Sequence, residues 1–285
     1  MLDNSVDVII PVYNRSELAL EAVKNVLNQS HNIVRITVVN DASNTTETKL
    51  LEEGLHNLSQ SIRLISLDHN YGPAEARNRG AANGNAEYLA FLDSDDLWHP
   101  DKLAQQLHFM KKYQEIGYVH TNETWFRNGE RIKPKKIHLK EGGYFIKRLL
   151  ERCLISASAI LFRRSFWNKL PEHFNPAFRV AEDYEFWLRL NLLHPAGYID
   201  EPLTIKRAGN WSQLSSTIEI DRQRVLALHR FYRLNKNNNA FLAIKTDWKN
   251  EILRKTGLLI KGAVKHNRPR RAATYRAWLK LFEKL

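Results

Sequence analysis

Strand and helix signals alternate through the first 115 residues, and this alternation constrains the chain more than any other feature. Val6-Asp7-Val8-Ile9-Ile10-Pro11-Val12 is a short β-branched run closed by proline, which reads as a buried strand. Leu18, Ala19, Ala22, Val23, Val26 and Leu27 follow at helical spacing, behind Ser16 as a plausible N-cap. Ile33 to Val39 reads as a second strand running into Asn40-Asp41, and Ile62 to Leu67 as a third. After Asn70-Tyr71-Gly72-Pro73 an alanine-rich helix is expected over about 74–82. A fourth strand, Glu87 to Leu92, leads straight into Asp93-Ser94-Asp95-Asp96, and Pro100 opens a helix carrying Leu103, Leu107 and Met110. Such an order calls for an α/β fold, a mostly parallel sheet with right-handed crossovers and helices on both faces. Ligands of such sheets bind beyond the carboxyl ends of the strands. Tyr13-Asn14, Asp41, Asn70 and the acidic cluster are therefore expected on one rim.

Alternation weakens after residue 115. Tyr118–Phe126, Ala157–Phe162 and Tyr198–Ile205 read as strands, Asp183 to Leu193 as a helix, and everything from about 218 as helical. The charge divides the same way. Residues 221–285 hold 17 Lys/Arg and 4 Asp/Glu, a balance of +13, whereas 1–220 hold 26 and 27, a balance of −1. A uniformly basic nucleic-acid binder does not look like this; a neutral body with a basic tail does. No apolar run reaches the roughly 18 residues of a membrane span. The N-terminus shows no export signal, and the lone Cys153 cannot form an internal disulfide, which fits a reducing, cytoplasmic setting.

The strongest chemical signal is Asp93-Ser94-Asp95-Asp96. Three carboxylates at the end of a buried strand repel one another, and a hard divalent cation relieves that repulsion through oxygen ligands completed by substrate phosphates. The plainer alternative is an acidic cap for the following helix. Neither Gly-x-Gly-x-x-Gly after the first strand nor a Gly-x-x-x-x-Gly-Lys-Ser/Thr run occurs, so dinucleotide and P-loop readings lose their support. Arg77 sits instead on a rim helix, where an arginine can clamp a phosphate.

Ile9-Ile10-Pro11-Val12-Tyr13-Asn14-Arg15, Val39-Asn40-Asp41-Ala42-Ser43, Ala76-Arg77-Asn78-Arg79-Gly80, Phe91-Leu92-Asp93-Ser94-Asp95-Asp96 and Ala181-Glu182-Asp183 occur in the order of family 2 glycosyltransferases. The chain resembles these inverting nucleotide-sugar transferases of GT-A (Rossmann-like) fold over about residues 6–215. The resemblance implies a catalytic domain over 1–217, its nucleotide-binding half about 1–115 and its acceptor half about 116–217, followed by a basic helical region over 218–285. It implies that Pro11, Val12, Tyr13, Asn14 and Asp41 hold the nucleoside, that Arg77 faces the base or diphosphate, and that Asp93 contacts the ribose. Asp95 becomes the principal ligand of Mn²⁺ or Mg²⁺, with Asp96 beside it. Asp183 matches the catalytic base that takes the proton of an acceptor hydroxyl, although Glu182 and Asp183 also suit a helix N-terminus. Glu182, Asn210 and Trp211 are weaker candidates for sugar contacts, Asn210 standing where many relatives carry a histidine. The implied reaction moves a sugar from a nucleotide-diphosphate sugar, in the first place a UDP-sugar, to a glycan or lipid-linked acceptor in cell-envelope synthesis. A nucleotide-sugar-binding subunit without turnover is the competing reading; intact Asp95 and Asp183 argue against it.

In the tail, Tyr275, Trp278, Leu279, Phe282 and Leu285 form one helical stripe, and Ile252, Thr256, Leu259, Ile260 and Ala263 form another, with lysines and arginines elsewhere. Beside a neutral body, these basic amphipathic stripes are expected to bring the protein to an anionic membrane surface, at the inner face of the membrane. Packing of the stripes on the preceding domain is the alternative.

Overall fold

The computed structural model describes residues 4–31, 35–59, 62–211 and 219–285. The expected strand start at Ile33 and the end of the loop that follows Trp211 lie outside these residues.

Seven elements make up the alternating half: β1 (Val6–Val12), α1 (Ser16–Leu27), β2 (Arg35–Asn40), α2 (Thr45–His56), β3 (Ile62–Ser66), α3 (Pro73–Ala82) and β4 (Tyr88–Phe91). Next come β5 (Leu97–Trp98), α4 (Lys102–Lys112), β6 (Tyr118–Arg127), β7 (Glu130–Ile132), α5 (Ile146–Glu151), β8 (Ile160–Arg163), α6 (Arg164–Trp167), α7 (Glu182–Leu193) and β9 (Gly197–Ala208). The chain ends in α8 (Ile220–Asn235), α9 (Asn239–Leu242), α10 (Lys245–Lys265) and α11 (Pro269–Glu283). Among the described residues one sheet runs β3-β2-β1-β4-β8-β6-β9-β5, with β7 hairpinned onto β6. The first four strands in that order are mutually parallel. β8 is antiparallel to both its neighbours, β4 and β6, and β5 is antiparallel to β9. All of β1 except Pro11 is buried, as a strand covered on both faces must be. Its alternate side chains feed two cores: Val8 and Ile10 face α1 and α4, whereas Ile9 joins the aromatic core of Phe91, Phe162, Phe186 and Trp187.

Chain order reverses at β1, with β2 on one side and β4 on the other. A crevice opens at such a point, above the carboxyl ends of the strands.

Two local readings change. α2 is a full helix that the periodicity did not announce, because only Leu51 and Leu55 of its twelve residues are buried. Ser16 is not a side-chain N-cap: Arg15 holds that position without a capping bond, and the Ser16 N–H donates to Glu47 Oε2 of α2 at 2.7 Å. The orphan donors at the start of α1 are thus satisfied by a neighbouring helix.

The tail stripes are buried or half-buried. Tyr275 is 6% exposed, Phe282 1%, Ile252 and Thr256 0%. Val225, Leu228, Phe231, Trp248 and Ile252 belong to the same core cluster as Phe91 and Phe186. Apolar faces consumed this way cannot sink into a lipid headgroup layer, which corrects that part of the membrane expectation. No helix among the described residues is long and apolar enough to cross a membrane.

Candidate active site

The crevice is a cleft of about 910 Å³. Pro11, Val12, Tyr13 and Asn14 reach it from the end of β1, Asp41 from β2, Arg77 from α3, Asp93 and Asp95 from the end of β4, and Glu182 and Asp183 from the start of α7. Asp96, Asn210 and Trp211 do not line it.

Asp41 is 3% exposed and accepts from the Tyr71 N–H through Oδ1 and from the Gly72 N–H through Oδ2, both at 2.8 Å. Its carboxylate therefore shapes the turn into α3 on the floor of the cleft. Gly72 holds φ 91° there, a region that favours glycine, and Pro73 starts the helix. Asn14, at φ 50°, accepts from the Asn44 N–H at 2.8 Å and ties the β1 and β2 loops together. Tyr13 stays 48% exposed on the rim.

Arg77 reaches the cleft with both terminal nitrogens already engaged. It is 4% exposed, and its Nη1 and Nη2 donate to Glu182 Oε1 at 2.7 Å and Asp93 Oδ1 at 2.6 Å, while the guanidinium lies 5.3 Å from the Phe174 ring centroid. It acts as a tie between the two halves of the cleft. Burial works to raise the Asp93 carboxyl, but Arg77 and Lys206 outweigh it and hold it down, at about 2. Burial pushes Glu182 up to about 7 against the pull of Arg77. Glu182 lines the cleft with one carboxylate oxygen bonded to Arg77.

The acidic cluster is resolved from within the chain. Asp96 is 0% exposed; Oδ2 accepts from Ser158 Oγ at 2.5 Å and from Lys206 Nζ, and Oδ1 accepts from the Arg207 N–H at 3.2 Å. Burial pushes its carboxyl up to about 7, opposed by Lys206. Asp95 Oδ2 accepts from Arg15 Nη1 at 3.0 Å and Trp211 Nε1 at 3.1 Å. Among the described residues no group of three His, Cys, Asp or Glu is placed to hold a metal ion. Mg²⁺-type sites need only one or two carboxylates besides substrate phosphates. Asp95 and Asp93, which line the cleft, fit that requirement. Asp96 is enclosed, and its oxygens are engaged by Ser158, Lys206 and the Arg207 N–H.

Trp211 joins Asp95 through its indole N–H rather than facing the cleft with its ring, and Asn210 is exposed outside it. Ala181, in the left-handed region at φ 60°, turns the chain so that Glu182 enters the Arg77 tie. Asp183 Oδ1 accepts from the Tyr184 N–H at 2.7 Å, and Oδ2 from Cys153 Sγ at 3.4 Å. Burial raises the Cys153 thiol, with Asp183 adding to the rise, so the sulfur stays a donor rather than a nucleophile.

Lys206 is the principal residue that sequence reading missed. The Leu97↔Ile205 register of β5 and β9 sets it opposite Asp96, 3.6 Å from Asp93 Oδ2. The strand was expected to stop at Ile205; a basic pair continuing β9 beside an acidic run was the available signal.

A cleft at the switch point, rimmed by the carboxyl ends of parallel strands and by carboxylates from α7, belongs to an α/β fold of the GT-A type. Residues 7–170 match the family model for glycosyl transferase family 2, and the chain belongs to that family. It is 32% identical over 210 residues to an uncharacterized glycosyltransferase of Rickettsia felis, an alignment covering 71% of this chain and 33% of the relative, so the chain spans about a third of that protein's length. It is 29% identical over 195 residues to an Escherichia coli protein named UDP-Glc:alpha-D-GlcNAc-diphosphoundecaprenol beta-1,3-glucosyltransferase WfgD, covering 67% of this chain and 71% of the relative. The crystal structure of S. aureus TarS 1-349 in complex with UDP-GlcNAc shares the fold, with a TM-score of 0.64, 16% identity, and coverage of 97% of this chain and 92% of that chain.

Proposed function

We propose that the protein is an inverting glycosyltransferase moving a sugar from a UDP-sugar to an acceptor hydroxyl in the synthesis of a cell-envelope polysaccharide or glycolipid. One observation carries this reading: one cleft gathers Pro11–Asn14, Asp41, Asp93 and Asp95 from the strand ends together with the Asp183 carboxylate at the start of α7. The name of the E. coli relative supports a UDP-sugar donor and a lipid-diphosphate-linked acceptor for this chain.

The nucleoside occupies the rim formed by Pro11–Asn14 and Asp41, with Tyr13 as an exposed aromatic surface. The diphosphate lies toward Asp93 and Asp95. Asp95 with Asp93 would hold a Mn²⁺ or Mg²⁺, which when bound would supply positive charge for the leaving diphosphate. Asp183 accepts the proton of the acceptor hydroxyl as its oxygen bonds to the anomeric carbon. The bond from that carbon to the diphosphate breaks, and its electron pair leaves with the nucleotide. Attack from the opposite face inverts the anomeric centre. Cys153 and the Tyr184 N–H orient the Asp183 carboxylate. The basic residues left on the tail's surface favour an acceptor presented at an anionic membrane.

A panel of nucleotide sugars with Mn²⁺ or Mg²⁺, read by thermal shift and slow donor hydrolysis, tests the reading. UDP-sugars are expected to stabilise the protein and to be hydrolysed. No stabilisation by any nucleotide sugar sinks it, and retained anomeric configuration in the product removes the inverting mechanism.

A further inference from the structure

The cleft does not end with the α/β half. Ile220 and Arg224, from the start of α8, line it together with Asp183 and Cys153. Arg224 Nη1 donates to Asp221 Oδ1 at 3.1 Å, a pair in which Asp221 is 69% exposed and its charge is screened by water. The Arg224 side chain is 28% exposed, and its Nε is buried with no hydrogen-bond partner among the described residues. An unpaired buried N–H is costly to leave unmade. Asp221 uses Nη1, which leaves Nη2 of this partly exposed guanidinium as the donor for an oxyanion in the cleft. The positive charge is close enough to oppose the burial-driven rise of the Cys153 thiol and the Tyr184 hydroxyl, so it acts on the immediate surroundings of Asp183. Lys140, at the same end, is already engaged: it pairs with Glu123 at 2.9 Å, and Glu123 also accepts from Ser156 and Trp125. Arg127 and Arg179 also reach the cleft, but Arg224 is a cation whose charge acts on the groups around Asp183.

We propose that Arg224 binds an oxyanion carried by the acceptor, a phosphate ester or a sugar carboxylate, beside the hydroxyl that Asp183 activates. The inference rests on the transferase reading and names its acceptor class as an anionic glycan. It also gives α8 a binding role: the basic C-terminal region completes the acceptor site rather than following it. A neutral acceptor offers the guanidinium no oxyanion, so the same contact selects against uncharged sugars.

The test is calorimetry on the full chain saturated with UDP and Mn²⁺, which fills the donor end. The probes are α-D-glucose 1-phosphate, methyl β-D-glucuronoside and the neutral methyl glucoside. One charged probe is expected to bind at least about ten-fold more tightly than the neutral one, the scale of a charge-assisted hydrogen bond. Whichever charged probe is preferred identifies phosphate or carboxylate as the source. R224Q is expected to erase that preference while keeping UDP affinity, and R224K to keep part of it, since it retains the charge but loses the guanidinium. UDP binding also reports that each variant is folded. Equal affinity of charged and neutral probes in the wild type, or an unchanged preference in R224Q, overturns the inference and leaves the transferase reading standing. Failure of the wild type to bind UDP removes the transferase reading itself.

Discussion

An ammonium set between two carboxylates changes what each of them can do. Lys206 holds Asp96 inside the protein and leaves Asp95 facing the cleft, so neighbours in sequence take unlike roles. Burial lowers the Lys206 pKa, but Asp96 and Asp93 more than reverse this and leave it raised. Replacing Lys206 with Met strands Asp96 as an uncompensated buried charge, a change that costs about 3–5 kcal/mol. Urea unfolding is expected to show that loss, and K206M/D96N to recover most of it; a variant as stable as wild type makes the pair dispensable. At Asp183 the expected defect is catalytic. Asp183→Asn keeps shape and hydrogen bonding but cannot accept a proton, so turnover falls about 10²–10⁴-fold with donor affinity retained. Parallel steady-state kinetics and UDP calorimetry separate the two effects, and near-normal turnover moves the base elsewhere. Asp41, Asp93 and Asp95 were legible on the rim because each follows a recognisable strand. Lys206 was not, because its meaning depends on a contact with Asp96 across 110 residues of chain.

Strands announce themselves when both faces are buried, and helices when one face is. β1 and β4 were therefore legible and α2 was not, since its buried stripe is two leucines wide and its role is to supply Glu47 to α1. The Asn44 side chain accepting from the Glu47 N–H at 3.0 Å is the N-cap that could have revealed it. β6 carries a consequence for pH. His120 is 0% exposed, with Nε2 3.0 Å from the Glu141 carbonyl oxygen, and burial pushes its pKa down to about 3. A depressed histidine stabilises the fold above its ordinary value of about 6.5, and that stability is lost as pH falls from there toward 3. Between pH 7 and pH 5 its share of the loss is about 2 kcal/mol. His120→Gln cannot titrate, so its stability should fall less than that of wild type by this amount over the same interval. Parallel urea curves for the two proteins at both pH values refute the assignment.

At the scale of the whole molecule, charge and apolar surface have been separated. The tail carries +13 against −1 for the rest, yet the stripes expected to enter a membrane fill the core around Phe231, Trp248 and Phe282 instead. Periodicity shows that a helix has an apolar face but not what covers that face, and here α10 packs on α8, α11 and α5, and α8 packs on α7. Attachment to lipid by insertion is thereby removed, and only the electrostatic component remains. Each basic residue close to an anionic surface contributes about 1 kcal/mol, and salt near 0.1 M already screens beyond about 10 Å. The protein is therefore expected to sediment with phosphatidylglycerol vesicles at low ionic strength, to be released by about 0.5 M salt, and to ignore phosphatidylcholine vesicles. Binding that survives high salt requires apolar insertion and contradicts the buried stripes. No binding at low salt leaves the tail with its packing role and its Arg224 contact to the cleft, and separates the acceptor from any membrane surface.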